Sequence, residues 1–420
     1  MIAEAADQRQ QLVEAMVAEF EGVWQEVVEA KDGEGAEQRV LAWTRVVGRR
    51  ILEAGLQAAI EKREQQGRIC CGRPMQRRVR EWRQVRTVLG DVRVRRRYFL
   101  CARCRGHRRP ADAWLKWVGG FSPVVEEWVA WGCAGLPYRE ALCSLEKLTG
   151  VEVPLESAQG IVARWGKAEL KLAPNAQRVG RELVIEIDGA KAHLEEGWKE
   201  IKVGACFSWD RNDPKAKPEA VSYCADWETA QQFRETLWQE AVVRGITTAR
   251  AVAVIGDGAP WIWDLVEYLF PYATQILDWY HLTEHLGAAA KVVHGEGKPQ
   301  TTALFEQWKT EVWEGRSEGV EEHLRELVAA GRDEGDQTLR KCADYLQTNQ
   351  ARIRYHLFRA AGWPVGSGVV EGACKHVIGL RFKRQSTRWS RPGAQAVLHL
   401  RLDRLSDRWS ARCQLVRKAA

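Results

Sequence analysis

The sequence predicts an α/β domain that carries an all-helical insertion and follows three smaller regions: a helical one, a short β segment and a helix-turn-helix-like one. Three observations lead there. After residue 181, short apolar runs recur between helical stretches, as the strands of a sheet covered on both faces do. A charged stretch without strand signal, 290–360, splits that pattern in two. Before 181, helical periodicity is broken by one segment, 66–112, in which apolar residues alternate with Arg.

Composition sets the outer limits. A chain of 420 residues has room for roughly two to four domains, and a hydrophobic fraction of 45% is enough to bury a core. Lys and Arg outnumber Asp and Glu by 63 to 56, an excess that permits a nucleic-acid partner without requiring one. The 11 cysteines are odd in number and mostly scattered, which argues against a disulfide framework and for a reducing compartment. Residues 1–19 are polar and amphipathic rather than leader-like, and no apolar run reaches the roughly 18 residues of a membrane span. A soluble, cytoplasmic protein with no membrane partner is expected.

In order along the chain, 1–65 reads as helical. Leu12, Met16, Phe20, Trp24 and Val27 form one stripe and Val47, Ile51, Leu52, Leu56 and Ile60 a second, divided at Lys31-Asp32-Gly33-Glu34-Gly35. In 66–112, Val85 to Leu89 and Val92 to Arg95 read as two strands joined by a tight turn at Gly90-Asp91. In 113–180, Tyr138 to Leu148, the break Thr149-Gly150-Val151 and a run from Leu155 to Leu170 suggest a helix-turn-helix. From 181 to 289, Leu183 to Ile187 is a strand expected to end at Asp188. Lys202 to Trp209 and Ala220 to Ala225 are two more, and Ala230 to Val243 is a helix. Ala251 to Ile255 is a strand ending at Gly256-Asp257-Gly258, Trp261 to Phe270 a helix, and Gln275 to Asp278 a strand before a helix with His281 and His285. Three strands, a helix, then strand, helix, strand, helix is the order of an RNase H-like fold. The helical insertion 290–360 follows. Residues 361–420 supply a helix with Glu371, a basic loop, and a final helix from Gly393 to Leu405.

The chemistry resides in the acids. A carboxylate at a strand end of an α/β sheet faces the crevice where ligands bind, and Asp188 and Asp257 take such places. Glu371 follows the loop Gly366-Ser367-Gly368 at the start of a helix. Three carboxylates meeting at one point need a counter-charge, and oxygen ligands favour Mg²⁺ or Mn²⁺. Two such ions would clamp the attacking and leaving oxygens of a phosphodiester.

Val184-Ile185-Glu186-Ile187-Asp188-Gly189 and Ile255-Gly256-Asp257-Gly258-Ala259-Pro260-Trp261-Ile262 resemble the first two acidic motifs of bacterial insertion-sequence DDE transposases. The Kra-type insertion-sequence family, related to the Mutator-like superfamily, is the nearest match. Asp278-Trp279-Tyr280-His281 is similar to the Asp/Cys-x-x-His signature of that superfamily. Gly366 to Lys375 resembles its third acidic motif, with Arg381-Phe382-Lys383-Arg384 and Arg388-Trp389-Ser390 as sequel. The resemblance covers roughly 181–401. Its acidic spacings are 257 − 188 = 69 and 371 − 257 = 114, the second leaving room for the helical insertion. It implies Asp188, Asp257 and Glu371 as a metal-binding catalytic triad in an RNase H-like domain, with Asp278, His281, Lys375 and Arg381 in support. It also implies DNA as partner, both the element's terminal inverted repeats and its target, and a homo-oligomer on paired ends.

Cys101-Ala102-Arg103-Cys104 is half of a zinc ribbon. The other half is not a second Cys-x-x-Cys but the adjacent pair Cys70-Cys71, so Zn²⁺ would be held by one or both of these with Cys101, Cys104 and, as a further candidate, His107. The Arg-rich strands between them suit a phosphate backbone: Arg77, Arg78 and Arg80 before the turn, Arg93, Arg95 and Arg97 after it. Arg381, Lys383, Arg384, Arg388 and Arg391, just beyond the helix of Glu371, could grip the strand being cut. Two rivals remain: a non-catalytic DNA-binding descendant of a transposase, against which the three intact acids speak, and a glycosidase using two carboxylates, which leaves the Arg-rich hairpin and the cysteines without a role.

Overall fold

The computed structural model describes residues 2–65, 68–167, 170, 182–227, 229–331, 336–384 and 387–419. They fall into two compact units, 1–168 with 411–420, and 169–410.

The first unit opens with two long helices, α1 (Ile2–Val28) and α2 (Gly33–Gln65), tied by Arg39–Glu26 and Arg50–Glu19 ion pairs. The break between them falls where Gly and Asp interrupt the apolar stripes, and the Asp32 carboxylate accepts the Gly35 N–H. Next come β1 (Ile69–Cys70) and β2 (Arg73–Pro74), a minimal antiparallel pair, then a three-stranded antiparallel sheet of β3 (Gln76–Thr87), β4 (Gly90–Leu100) and β5 (His107–Arg108). The long hairpin turns at Val88-Leu89, because Thr87 pairs with Gly90, so the turn lies two residues before the Gly90-Asp91 expected from sequence. Asp91 instead bonds Arg86.

Helix α2 stabilises this hairpin twice over. Its Leu52, Leu56 and Ile60 pack on Val92 and Val94. Its polar side chains also cover the open edge of β4: Glu53, Gln57 and Glu64 accept the backbone N–H groups of Arg93, Arg95 and Arg97. An unpaired strand edge is thereby satisfied.

Helices α3 (Pro110–Leu115), α4 (Pro123–Gly135), α5 (Tyr138–Thr149) and α6 (Leu155–Lys167) follow. Gly150 at φ 71° closes α5 in the left-handed conformation that glycine adopts without strain. The helical run expected to Leu170 is described as a helix to Lys167, and 168–169 and 171–180 of that segment lie outside the described residues.

The second unit is built on one five-stranded sheet. Its strands are β6 (Glu182–Leu194), β7 (Gly197–Trp209), β8 (Glu219–Asp226), β9 (Val252–Gly256) and β10 (Thr274–Leu277), in the order β10-β9-β6-β7-β8. The hairpins β6–β7 and β7–β8 are antiparallel, whereas β9 lies parallel to β6 and β10 parallel to β9. Two strands are longer than the apolar runs suggested. β6 continues six residues past Asp188, and β7 begins at Gly197. Those extra residues pair only in the antiparallel hairpin and bury one face, Ala190, Ala192 and Leu194, so they alternate with polar residues instead of forming an apolar run.

Between the strands run α7 (Ala230–Val243), α8 (Pro260–Leu269) and α9 (Trp279–His294). The insertion forms α10 (Pro299–Trp313), α11 (Ser317–Ala329), α12 (Asp336–Thr348) and α13 (Tyr355–Ala360). It is helical as expected but not a separate body. Trp308, Val312, Leu324, Leu339, Leu346 and Tyr355 belong to the same buried cluster as Ile185, Val254 and Ile276 of the sheet. One helical path then holds α14 (Gly368–Ala373), a π-helical stretch Cys374–Gly379, and α15 (Leu380–Phe382), before α16 (Arg391–Leu405). A last helix, α17 (Trp409–Ala419), follows, and from residue 411 the chain belongs to the first unit rather than extending the second.

Candidate functional site

Parallel pairing brings the acids together. The β6–β9 ladder ends at Ile187 opposite Gly256, so Asp188 and Asp257 come next on neighbouring strands. The β9–β10 ladder ends at Gly256 opposite Leu277, which places Asp278 next on the third strand. Three adjacent strands thus each carry an Asp at one level, at the carboxyl end of the parallel part of the sheet. Side chains alternate along a strand, so Glu186 shares the face of Asp188. Asp188 is therefore not a strand-terminal residue, as the sequence suggested, but a mid-strand one at the point where its parallel neighbour stops.

Glu371 reaches this face on α14, and two buried carboxylates hold the start of that helix. Glu186, 1% exposed, accepts the Val370 N–H at 2.7 Å. Asp278, 3% exposed, accepts the Ser367 N–H at 2.7 Å with one oxygen and caps α9 through the His281 N–H at 2.8 Å with the other.

Charge confirms the proximity. Burial pushes the Asp188 carboxyl up, and the Asp257 and Glu371 carboxylates push it further, against hydrogen bonds from the Cys374 thiol (3.3 Å) and the Gly189 N–H (2.6 Å). Burial raises Glu186 to about 8, with Asp278 and Glu371 adding to the shift and the Val370 and Val369 N–H groups opposing it. The Lys375 ammonium stands 3.5 Å from Glu371, on the solvent side. The three acids share a neighbourhood, but their oxygens do not all lie within 4.8 Å of one another. Among the described residues, the four cysteines below are the one set of three or more His, Cys, Asp or Glu ligand atoms lying within 4.8 Å of one another.

The supporting residues divide. His281 is partly exposed, its ring edge-on to His285 at 5.3 Å between centroids. His285 stacks on Tyr345 of α12 at 4.2 Å, and burial followed by the His281 charge lowers its pKa. Tyr345 lies so close to Gly258 that a Cβ there would come within 2.1 Å of its ring, which explains the glycine after Asp257. Arg381 departs from expectation. It is 1% exposed, with its guanidinium over Trp389 at 4.6 Å, and a residue so enclosed is not a DNA contact. Lys383, Arg384 and Arg388 are exposed.

Sequence reasoning missed Glu186, Cys374 and Tyr345. Glu186 had a signal, an acid between Ile185 and Ile187 in an otherwise apolar strand. Cys374 lies one turn after Glu371 on the same helical path, and that spacing was its signal, whereas Tyr345 had none, since α12 brings it from elsewhere in the chain.

In the first unit, Cys70, Cys71, Cys101 and Cys104 form a cluster that could bind a metal such as zinc. The Cys70 sulfur is 3.9 Å from that of Cys71 and 3.7 Å from that of Cys104. Cys71 takes φ 52° between β1 and β2, and this turns both adjacent thiols to one side. Backbone N–H groups of Cys104 and Arg103 lower the Cys101 thiol to about 7. His107 lies on β5, outside the cluster.

The arginines do not act as one set. Arg80 pairs with Glu61 and Glu64, each at 3.1 Å, and Arg97 approaches Glu64, which is 4% exposed. Both are internal fasteners between hairpin and α2 rather than the DNA contacts expected of them. Arg77, Arg78, Arg93 and Arg95 are exposed. Arg93 bonds the neutral Gln84 side chain, and Arg95 lies over the Trp82 ring.

These features define a helix-rich mixed α/β protein with an acidic cluster at the end of its parallel strands and a separate four-cysteine cluster. The chain belongs to the uncharacterised protein family UPF0236, whose model matches residues 34–418. It is similar to UPF0236 protein TTE2489 of Caldanaerobacter subterraneus subsp. tengcongensis, with 24% identity over 341 residues, 76% of this chain and 68% of the relative. A second UPF0236 protein of that organism, whose name joins eleven designations, is 23% identical over 336 residues, 76% of this chain and 67% of its own length.

Proposed function

We propose that the chain is a DNA transposase that cuts DNA at the ends of a mobile element and joins the freed 3′-OH to target DNA. The observation that carries this reading is the row of Asp188, Asp257 and Asp278 on three adjacent strands, with Glu371 tied down over it. The sheet has its strands in the order 3-2-1-4-5, the first three antiparallel and the rest parallel, which is what an RNase H-like domain would need and supports the reading. So does the relative named under eleven designations, since repeated copies in one genome are what a mobile element leaves.

The donor set fits hard divalent cations of the Mg²⁺ or Mn²⁺ kind: Asp188, Asp257 and Glu371 offer oxygen, and burial first, then the other two carboxylates, raise Asp188. Bound there, two such ions would activate the attacking hydroxyl and stabilise the leaving oxygen of a phosphodiester. The protein's own part is positioning. Glu186 and Asp278 fix the helix of Glu371, while the Cys374 thiol and the Gly189 N–H orient Asp188. Lys375 neutralises Glu371 from the solvent side, where a phosphate would enter.

The test is Mg²⁺- or Mn²⁺-dependent nicking of DNA carrying the gene's own flanks. Asp188→Asn and Asp257→Asn should each lower the rate on the order of 10²-fold or more, while DNA affinity is retained. Undiminished cleavage by Asp257→Asn would refute the reading. DNA binding without cleavage by the unaltered chain would favour the non-catalytic descendant instead.

A further inference from the structure

The geometry points to a structural zinc site in which both adjacent cysteines are ligands: Zn²⁺ held by Cys70, Cys71, Cys101 and Cys104, with His107 outside the set. Four sulfurs around one Zn²⁺ at about 2.3 Å lie about 3.8 Å apart along each edge of the tetrahedron. The Cys70 sulfur stands 3.7 Å from that of Cys104 and 3.9 Å from that of Cys71, and all four lie within 4.8 Å of one another. These spacings exclude a disulfide, which needs about 2.05 Å. Two edges already have the tetrahedral length, and the others need to close by no more than about 1 Å. An all-sulfur set selects a soft or borderline ion over Mg²⁺ or Ca²⁺.

Neighbouring chemistry agrees. A tetrathiolate zinc carries a net charge of −2, and Arg73, Arg103, Arg105 and Arg108 are all exposed around it in sequence. Among the described residues the local fold has little apolar support. β1, β2 and β5 have two residues each, and the buried apolar side chains at this end are limited to Met75, Phe99 and Cys101, with Cys70 against them. So small a cluster cannot offset the entropy of ordering the segment, whereas a metal that joins residues before β3 to residues after β4 can. The zinc would fasten the two open ends of the Arg-bearing hairpin, as α2 fastens its length.

This inference concerns the first unit and does not rest on the acidic site. Two measurements test it on the full chain, purified under reducing conditions without chelator. Elemental analysis should find one zinc and no iron per chain. Alkylation mapped residue by residue should then find Cys71 and Cys104 protected, although both are exposed, while the exposed Cys143 reacts. Chelator should bring the first two to the rate of Cys143. Substitution by Co²⁺ should give the absorption of a tetrahedral all-thiolate centre, altered by Cys71→Ser and unaltered by His107→Ala. A chain without zinc, or one in which Cys71 labels as fast as Cys143 before chelation, would overturn the proposal. So would a Co²⁺ spectrum that responds to His107→Ala and not to Cys71→Ser. The labelling result stands even if Cys71→Ser does not fold.

Discussion

Glu186 sits in the middle of a strand whose neighbours are aliphatic, and it is held there by a single purpose that the sequence did not reveal. Its carboxyl bonds the Val370 N–H and is pushed to about 8, against an ordinary value of 4.5. The sign of the pH effect follows from that difference. Between 4.5 and about 8 the unfolded chain has lost this proton and the folded chain keeps it, so stability falls as pH rises through this window and levels off above it. The full span corresponds to roughly 5 kcal/mol at most, at about 1.4 kcal/mol per pKa unit. Glu186→Gln keeps an oxygen for the Val370 N–H but cannot ionise. In chelator, urea unfolding of the unaltered chain should weaken from pH 5 to pH 8, and the Gln variant should lose most of that slope. An identical slope in both would show that Glu186 ionises freely in the fold.

Elements rather than single residues bring Glu371 to the sheet, because a helix of six residues has little stability of its own. Its start is set by Ser367 bonding to Asp278, which at the same time caps α9. Its continuation is a π-helical stretch whose His376 and Val377 carbonyls accept hydrogen bonds from Arg401 of α16. A π turn of this kind is uncommon and recurs beside functional sites, where it re-aims the residues of a helix. Here it lies between Glu371 and Arg381 and accompanies the turning of Cys374 onto Asp188. Asp278→Ala would leave two N–H groups without their acceptor, a loss of about 2–4 kcal/mol if each costs the usual one to two. Asp278→Asn should recover only about half of that loss, because an amide has one accepting oxygen and its NH2 cannot accept the second N–H. A thermal-unfolding series of the three chains decides whether this acid acts by bonding. Asp278→Asn and Asp278→Ala falling equally would mean that its charge, not its acceptor oxygens, matters.

At the scale of the molecule, what the sequence disclosed and what it hid divide along a physical line. Strands buried on both faces announce themselves as apolar runs, so all five strands of the large sheet and the strand end before Asp257 were legible. The outer halves of β6 and β7 were not, because a hairpin buried on one face alternates small apolar residues such as Ala190 and Ala192 with polar ones and forms no apolar run. Long-range fastening was equally hidden. No local pattern shows that Arg80 and Arg97 close on Glu64, that Arg381 is enclosed by Trp389, or that the helices of 290–360 complete the sheet's own core. The distinction matters most for charge, since a formal excess of +7 says nothing about which cations remain open to a partner. If DNA binds the hairpin, the exposed Arg77, Arg78, Arg93 and Arg95 should carry the salt dependence of affinity, at about 0.9 of a unit of log–log slope per phosphate neutralised. Replacing these four by Gln should therefore flatten the slope by about 3 to 4 and leave the melting temperature nearly unchanged. Arg80→Gln should do the reverse: it leaves the nearly buried Glu64 with Arg97 alone, so it should lower stability by about 1–3 kcal/mol while the slope stays within about one unit of the parent. Binding measured across a salt series, with melting curves on the same samples, separates the two groups. Equal slopes for the fourfold variant and the parent would place the DNA elsewhere on the protein.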